Sequence, residues 1–159
     1  MDPNKIRLFQ ATEQHAPQLL HIVHAAFEEY RGVLDPPSGV HAETLQDIRH
    51  KLETGGALMA LSDGEPAGCV FYQPEAAHVY LGRLAVLPRY RRQGIGNALI
   101  QHVEALAREL RVPRVQLGVR VALPGLRAHY EKLGYRLVRY GTHEGYEEPT
   151  YAILEKDLA

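Results

Sequence analysis

A basic turn with two glycines, at residues 91–98, has the composition of an anion-binding site. Its sequence is Arg-Arg-Gln-Gly-Ile-Gly-Asn-Ala. If a helix starts near Gly94, its first backbone N–H groups lack partners within the helix and lie at the positive end of the helix dipole, so a bound phosphate satisfies both. Gly94 and Gly96 carry no Cβ and let a ligand approach the backbone. Because Arg91 and Arg92 add positive charge, the segment predicts a phosphate-binding turn.

The spacing of this turn excludes two common phosphate loops. A Walker loop has Lys and then Ser or Thr after its last glycine, whereas Asn97 and Ala98 follow Gly96 here. A dinucleotide fingerprint needs a third glycine where Leu99 stands, and a ribose-binding carboxylate where residues 115–119 hold none. An ordinary loop before a surface helix is the remaining alternative for Gly-x-Gly.

Apolar spacing predicts the elements that hold this turn. Runs at residues 57–61, 67–72 and 78–87 precede it, and Asp63-Gly64 between the first two is a strong hairpin signal. Three antiparallel strands therefore lead into the turn. After it, apolar residues recur at helical spacing: Leu99, Val103, Leu106 and Leu110. The turn thus joins a strand to an amphipathic helix.

Further elements are predicted on both sides of this centre. Alternation predicts a strand at residues 6–9, and Thr12 can cap a helix beginning near Glu13. Residues 16–30 have one apolar helical face, and a second helix at 42–53 follows a stretch rich in proline and glycine. That face consists of Leu19, Leu20, Val23, Ala26 and Phe27. The later elements are a buried strand at 114–121 and a final hairpin of residues 136–139 and 150–158.

The length of the chain favours one domain, and its balanced charge favours no particular class of charged partner. The 159 residues suit a single domain over 1–159. With 18 basic and 19 acidic residues, the chain is not drawn as a whole to nucleic acid or membranes. No apolar run approaches the ~20 residues needed to cross a bilayer, and the start lacks the apolar core of a signal peptide. We therefore expect a soluble cytoplasmic protein without nucleic-acid or membrane partners.

Metal and thiol chemistry are not indicated. His21 and His24 lie three residues apart on the first helix, but no third ligand accompanies them, so we expect solvent-facing histidines and no metal. The single Cys69 cannot form an internal disulfide. Its apolar neighbours predict an inert thiol buried in a strand.

Two motifs resemble the GCN5-related N-acetyltransferases (GNAT). Arg91, Gly94 and Gly96 match the pattern Arg/Gln-x-x-Gly-x-Gly/Ala, preceded by Leu-Ala-Val-x-Pro-x-Tyr from Leu84. A second segment, residues 126–135, resembles Leu-Tyr-Glu-Lys-x-Gly-Phe of the same family. The resemblance implies an α/β fold of the acyl-CoA N-acyltransferase type. Its central sheet is mixed, mostly antiparallel, has about six or seven strands and is flanked by helices.

The same resemblance implies that acetyl-CoA is the acyl donor and that the basic turn holds its pyrophosphate. The strand ending at Val86 and the one at 114–121 splay apart in this family, and the pantetheine arm lies in the gap. The implied coenzyme-binding residues are Leu84, Ala85, Val86, Arg91, Arg92, Gln93, Gly94, Ile95, Gly96, Asn97, Ala98 and Tyr130. The backbone at 84–86 would hold the arm and polarise the thioester carbonyl. Leu123 stands where many members carry an asparagine.

The sequence offers one candidate for the proton donor and several for the general base. The family places a tyrosine at the position of Tyr130 beside the coenzyme sulfur, and its ordinary pKa of ~10 suits a general acid for the departing thiolate. Many members carry an acidic residue near the positions of Gly82 and Arg83, and neither residue can act as that base. The other candidates are His78, Tyr80, His143, Glu144 and a group acting through an ordered water. Histidine titrates near neutrality, a property that all nine histidines share, and we favour His143 in the late polar loop of residues 141–149.

The acceptor is the least determined part of the reaction. In the family the turn between the first two helices lies over the acceptor site, although residues 31–41 also fit a plain surface linker. Glu29 and Tyr30 stand at its entrance. Arg83 either meets an anionic part of the acceptor or pairs with a surface carboxylate. Tyr146 lies in the late polar loop of residues 141–149. We expect transfer of an acetyl group to a primary amine of a small molecule or peptide. The alternative is a non-catalytic acyl-CoA sensor of the same fold, and a homodimer is left open.

Overall fold

A computed structural model describes residues 5–158, which contain seven strands and four α-helices. The first part of the chain forms β1 (Ile6–Gln10), α1 (Ala16–Phe27), α2 (Leu45–Thr54), β2 (Gly56–Ser62), β3 (Glu65–Pro74) and β4 (Val79–Val86). The rest forms α3 (Ile95–Glu109), β5 (Arg114–Arg120), α4 (Pro124–Lys132), β6 (Arg136–Gly141) and β7 (Tyr151–Asp157). All seven strands belong to one sheet, which confirms the predicted fold class.

Two compact units divide the described residues. The first comprises the chain up to Gln73 together with Leu81–Val103, and the second comprises Pro74–Tyr80 together with the chain from Glu104 onward. In the first unit β2 pairs antiparallel with both β1 and β3. In the second, β7 pairs antiparallel with both β5 and β6. None of the helices among residues 5–158 has both the length and the apolar character to span a membrane.

The predicted hairpin between β2 and β3 is confirmed. Asp63 and Gly64 both have positive φ, at 50° and 83°, and Ser62 pairs with Glu65 across the turn. Two successive positive φ values give a type I′ turn, whose twist matches that of the flanking strands. The sequence Asp-Gly therefore sets the register of this part of the sheet.

The core of the first unit lies between α1, α2 and the sheet. Its apolar face on α1 includes Leu19, Val23 and Ala26 as predicted, all nearly inaccessible, with Leu20 and Phe27 packed at the edge. Cys69 on β3 is fully buried in the same cluster, and burial raises the pKa of its thiol far above the ordinary value. The prediction of an inert buried thiol is confirmed.

A buried polar group stabilises the second unit. Glu104 on α3 is 5% exposed, accepts a hydrogen bond from Tyr135 Oη at 2.8 Å, and lies 3.2 Å from Lys156 Nζ. Burial raises the pKa of the Tyr135 hydroxyl, and the Glu104 carboxylate adds to that shift. A buried charge needs such partners, since an unpaired carboxylate would be strongly destabilising.

Three sequence predictions about the helices need correction. The first α-helix ends at Phe27 rather than residue 30, and its last turn tightens into a 3-10 helix, Glu28–Tyr30. The second begins at Leu45 rather than residue 42, because Thr44 and Asp47 form a reciprocal capping box there. A separate 3-10 helix, Gly39–Ala42, precedes it. Leu110 lies beyond the end of α3 and is 53% exposed instead of joining the apolar face.

Candidate active site

The basic turn opens α3 as predicted. Gly94 has φ +81° and α3 begins at Ile95, so the glycine supplies a left-handed conformation at the helix entrance. The N–H of Ala98 donates to Gly94 O at 3.0 Å, the first hydrogen bond of the helix. The amides of residues 95–97 precede that bond, in the place where helices bind anions. Arg92, also at positive φ, is exposed beside them.

The Arg91 side chain contacts three other residues of the first unit. Its Nε donates to Val86 O at 3.0 Å, its Nη2 donates to Ala26 O at 3.2 Å, and its guanidinium forms an ion pair with Glu29. These contacts link the end of α1 to the end of β4. The Arg91 side chain is therefore committed to the scaffold, and Glu29, predicted to meet the acceptor, has a cation of its own.

Close backbone packing fixes the end of β4. Leu87 N donates to Ala67 O at 2.8 Å, and a Cβ at Gly68 would lie 2.8 Å from Ala85 O, so only glycine fits there without a shift. Ala85 is buried, whereas Leu84 and Val86 are partly exposed. The backbone predicted to hold the coenzyme arm is thus held rigidly from the β3 side.

Arg83 interrupts β4 with a left-handed conformation, φ +51°. Its Nε and Nη2 lie 3.3 and 3.4 Å from the two carboxylate oxygens of Glu43. Glu43 Oε1 also lies 3.8 Å from Lys51 Nζ. The partner of Arg83 is therefore a buried carboxylate, because the Glu43 side chain is only 7% exposed, whereas a surface carboxylate was one of the two alternatives for Arg83 from the sequence.

Glu43 was missed by the sequence analysis. It follows the 3-10 helix Gly39–Ala42 directly, its N–H donates to Val40 O at 3.0 Å, and its own carbonyl lies 2.9 Å from His24 Nε2. The prediction that His24 faces solvent is therefore wrong: the ring is part-buried and bonded to this turn. Nothing local in the sequence distinguishes Glu43 from an ordinary polar residue ahead of a helix cap.

His41, on the same 3-10 helix, is the second residue that the sequence did not single out. Both of its ring nitrogens are buried and have no hydrogen-bond partner among the described residues. Polar atoms in protein interiors are nearly always hydrogen-bonded, so this exception requires an explanation. His21, by contrast, is exposed as predicted.

Tyr130 lies in the second unit, near the end of α4, and is 6% exposed. Its ring is 6.1 Å from that of Tyr135 in an edge-to-face arrangement and 6.2 Å from that of His129. After α4, Gly134 has φ +101°, which confirms the predicted left-handed stop. The aromatic contacts fix the orientation of the Tyr130 ring.

His143 lies in the loop between β6 and β7. Its N–H donates to Thr150 Oγ1 at 2.9 Å, its Nδ1 bonds the same oxygen, and its ring lies edge-to-face with that of Tyr151. Desolvation lowers the pKa of the imidazole, and the nearby Arg120 charge lowers it further. A neutral ring at neutral pH is the form that a general base requires.

The remaining predicted residues are spread over both units. Tyr30 ends the 3-10 helix after α1, with its ring 5.7 Å from Phe27. Tyr146 is 37% exposed in the late loop, where Glu144 is also exposed. His78 immediately precedes β4, and Tyr80 lies on that strand. Within residues 5–158, no three histidine, cysteine or carboxylate side chains are grouped to hold a metal ion.

The chain is similar to known acetyltransferases in sequence and in fold. Residues 16–135 match the model described as "Acetyltransferase (GNAT) family". The S-alkylcysteine N-acetyltransferase of Bacillus subtilis (strain 168) is 28% identical over 138 residues, covering 80% of this chain and 76% of that protein.

Two solved structures show the same fold at low identity. The PaiA N-acetyltransferase from Thermoplasma acidophilum, in complex with coenzyme A, superposes with a TM-score of 0.79 at 16% identity, covering 96% of this chain and 98% of that one. The ribosomal-protein-S18-alanine N-acetyltransferase from Escherichia coli gives 0.76 at 22% identity, with coverages of 97% and 94%. Since the family model covers most of the chain, this protein belongs to the GNAT family and is an N-acetyltransferase that uses acetyl-CoA as its donor.

Proposed function

We propose that this enzyme moves the acetyl group of acetyl-CoA directly to a primary amine of a small molecule or peptide. The observation that supports coenzyme binding is the entrance of α3, where Gly94 at φ +81° leads into a helix whose first intrahelical donor is Ala98 N. In this proposal the amides of residues 92–97 bind the diphosphate of the coenzyme. The exposed Arg92 contributes charge, and Arg91 contributes through the scaffold that its guanidinium holds.

Transfer needs an uncharged amine, a stabilised tetrahedral oxyanion and a proton for the departing thiolate. The backbone at residues 84–86 is proposed to polarise the thioester carbonyl, which its rigid support from Ala67 and Gly68 favours. The amine nitrogen attacks the carbonyl carbon, the C–S bond breaks, and Tyr130 gives its hydroxyl proton to the sulfur. His143 is proposed to take the proton that the amine loses.

The acceptor panel for this reaction follows from the relatives. The Bacillus subtilis relative is named for S-alkylcysteine, so S-alkylcysteines and other amino acids belong in the panel beside simple amines and peptides. The enzyme is incubated with acetyl-CoA, each amine and a thiol reagent that detects free coenzyme A. We expect coenzyme release that depends on the acceptor. Coenzyme binding without acceptor-dependent release from any amine would instead identify a sensor.

A further inference from the structure

The charges around the start of α2 are unequally matched. On the neighbouring turn Glu28 pairs with Arg31, and Glu29 pairs with Arg91. Glu43 differs, because its single carboxylate lies within 4 Å of both the Arg83 guanidinium and the Lys51 ammonium. The Lys51 charge also lowers the pKa of Asp47, so Lys51 has a second carboxylate nearby, whereas Arg83 shares Glu43 with it. A second anion at the guanidinium would complete the pairing of Arg83.

The Arg83 guanidinium has an edge suited to that anion. Only its Nε and Nη2 contact Glu43, and an arginine has five N–H donors in a planar fork. The edge formed by Nη1 and Nη2 can bind another carboxylate through two parallel hydrogen bonds. The Arg83 side chain is 29% exposed, so a small solute can reach it.

The 3-10 helix Gly39–Ala42 forms one wall beside this edge. A Cβ at Gly39 would lie 3.3 Å from Arg83 Nη2, so glycine allows the helix to approach the guanidinium closely. His41 on this helix has two buried ring nitrogens without a hydrogen bond from the described chain. Leaving such a group unsatisfied is destabilising, and a polar ligand that supplies the partner relieves that cost.

Arg83 also stands beside the proposed reaction centre in the sequence. It immediately precedes Leu84, the first residue of the backbone proposed to hold the thioester. Its left-handed conformation within a strand is rare for a residue with a side chain, and such strained residues concentrate at functional sites. Glu43 holds the guanidinium by one edge and so orients the other.

We propose that the acceptor is a free amino acid, or a similar amine with an adjacent carboxylate, and that Arg83 binds this carboxylate. The inference rests on the proposed acetyl transfer and narrows its substrate class. A peptide N-terminus lacks the adjacent carboxylate, because that carbonyl belongs to an amide. The enzyme should therefore discriminate between an amino acid and its carboxamide although their amines occupy the same position.

The test uses matched acceptors and two arginine variants. For the wild type we expect kcat/KM to be about 10-fold to 100-fold higher for S-methylcysteine and leucine than for their carboxamides, from the ~1.5–3 kcal/mol of a hydrogen-bonded charge. In Arg83→Gln the preference should fall to within about twofold, mainly through a higher KM for the acid. Arg49→Gln is the matched control, since Arg49 is an exposed arginine on α2 that pairs with one carboxylate of the same unit, Glu13.

A lysine variant and two checks of folding complete the test. Arg83→Lys retains the charge without the planar fork, so it should show a preference between those of the wild type and Arg83→Gln. Thermal melting and coenzyme A titration verify that each variant is folded. If the wild type acetylates the carboxamides as fast as the acids, or if folded Arg83→Gln keeps the wild-type preference, the inference is wrong while the transferase function stands. Absence of release with every amine would instead contradict the proposed function.

Discussion

The first compact unit presents backbone amides and ion pairs, whereas the second packs its candidate proton-transfer groups against aromatic rings. In the first, the entrance of α3 and the Arg83–Glu43 pair are held by main-chain contacts and charges. In the second, Tyr130 packs against Tyr135, and His143 packs against Tyr151. This contrast suggests that binding and proton transfer are assigned to different parts of the chain. Substitutions in the two units should then change different kinetic constants.

The largest effect is expected at Tyr130. Tyr130→Phe removes the proposed proton donor to the thiolate but keeps the ring, so kcat should fall roughly 100-fold or more while coenzyme affinity stays near the wild-type value. Steady-state kinetics and coenzyme A calorimetry measure the two quantities. Tyr135→Phe is the control, since it loses the bond to Glu104 and lowers stability without a comparable loss of kcat. An unchanged kcat in Tyr130→Phe would remove the general-acid role.

The next effect concerns the pH dependence that His143 should cause. The pKa of the His143 imidazole is lowered from the ordinary 6.5, so the ring is still mostly neutral, and therefore basic, at pH 6.5. The acidic limb of the kcat/KM profile should therefore lie below that pH. His143→Ala should cut kcat/KM about 100-fold at neutral pH and abolish this limb. A pH–rate profile that keeps its acidic limb in the variant would exclude His143 as the base.

His143 should also affect the pH dependence of stability. The unfolded chain binds a proton at a higher pH than the folded ring does, so the wild type loses stability relative to His143→Ala as pH falls through 6.5. Denaturant unfolding at several pH values measures this difference. We expect a small difference in the free energy of unfolding, because the His143 ring is partly exposed.

In the first unit, Gly94→Ala should act on coenzyme binding rather than on kcat. A Cβ at Gly94 meets no atom within 4 Å, so its cost of about 1–2 kcal/mol comes from the left-handed φ alone. The turn should shift to relieve that strain, displacing the amides and raising the KM for acetyl-CoA about tenfold. Gly64→Ala carries the same strain, at φ +83° and with equally open space, but lies in the β2–β3 hairpin. Equal effects of both variants on KM would show that the entrance of α3 has no special role.

The smallest kinetic effect is expected from Arg91. Arg91→Met loses contacts to Ala26 O, Val86 O and Glu29, so the melting temperature should fall by roughly 3–6 °C, from about 1–2 kcal/mol. The KM for acetyl-CoA should rise less than in Gly94→Ala. Arg31→Met, which loses an exposed pair, should melt at the wild-type temperature. A larger rise in KM than in Gly94→Ala would show that the guanidinium itself binds the coenzyme.

Local features of the fold were predictable, and distant ones were not. The hairpin at Asp63-Gly64 and the stop at Gly134 depend on the φ of one or two residues, so residue type announces them. One local signal was missed, because the Thr44–Asp47 spacing is that of a capping box and begins α2 at Leu45 rather than at residue 42. His24 was assigned to solvent because its partner, Glu43 O, is 19 residues away.

The sequence by itself determined the strand, glycine turn and helix that are proposed to form the coenzyme site, because amides at a helix entrance are positioned by their immediate neighbours. It also determined the family and the acetyl donor through the two motifs. Only the tertiary structure decided which charges meet: Arg91 is bound to the end of α1, and Arg83 is bound to a carboxylate 40 residues earlier in the chain. An ion pair depends on where packed elements bring side chains, and the spacing of residues along the chain does not encode that position.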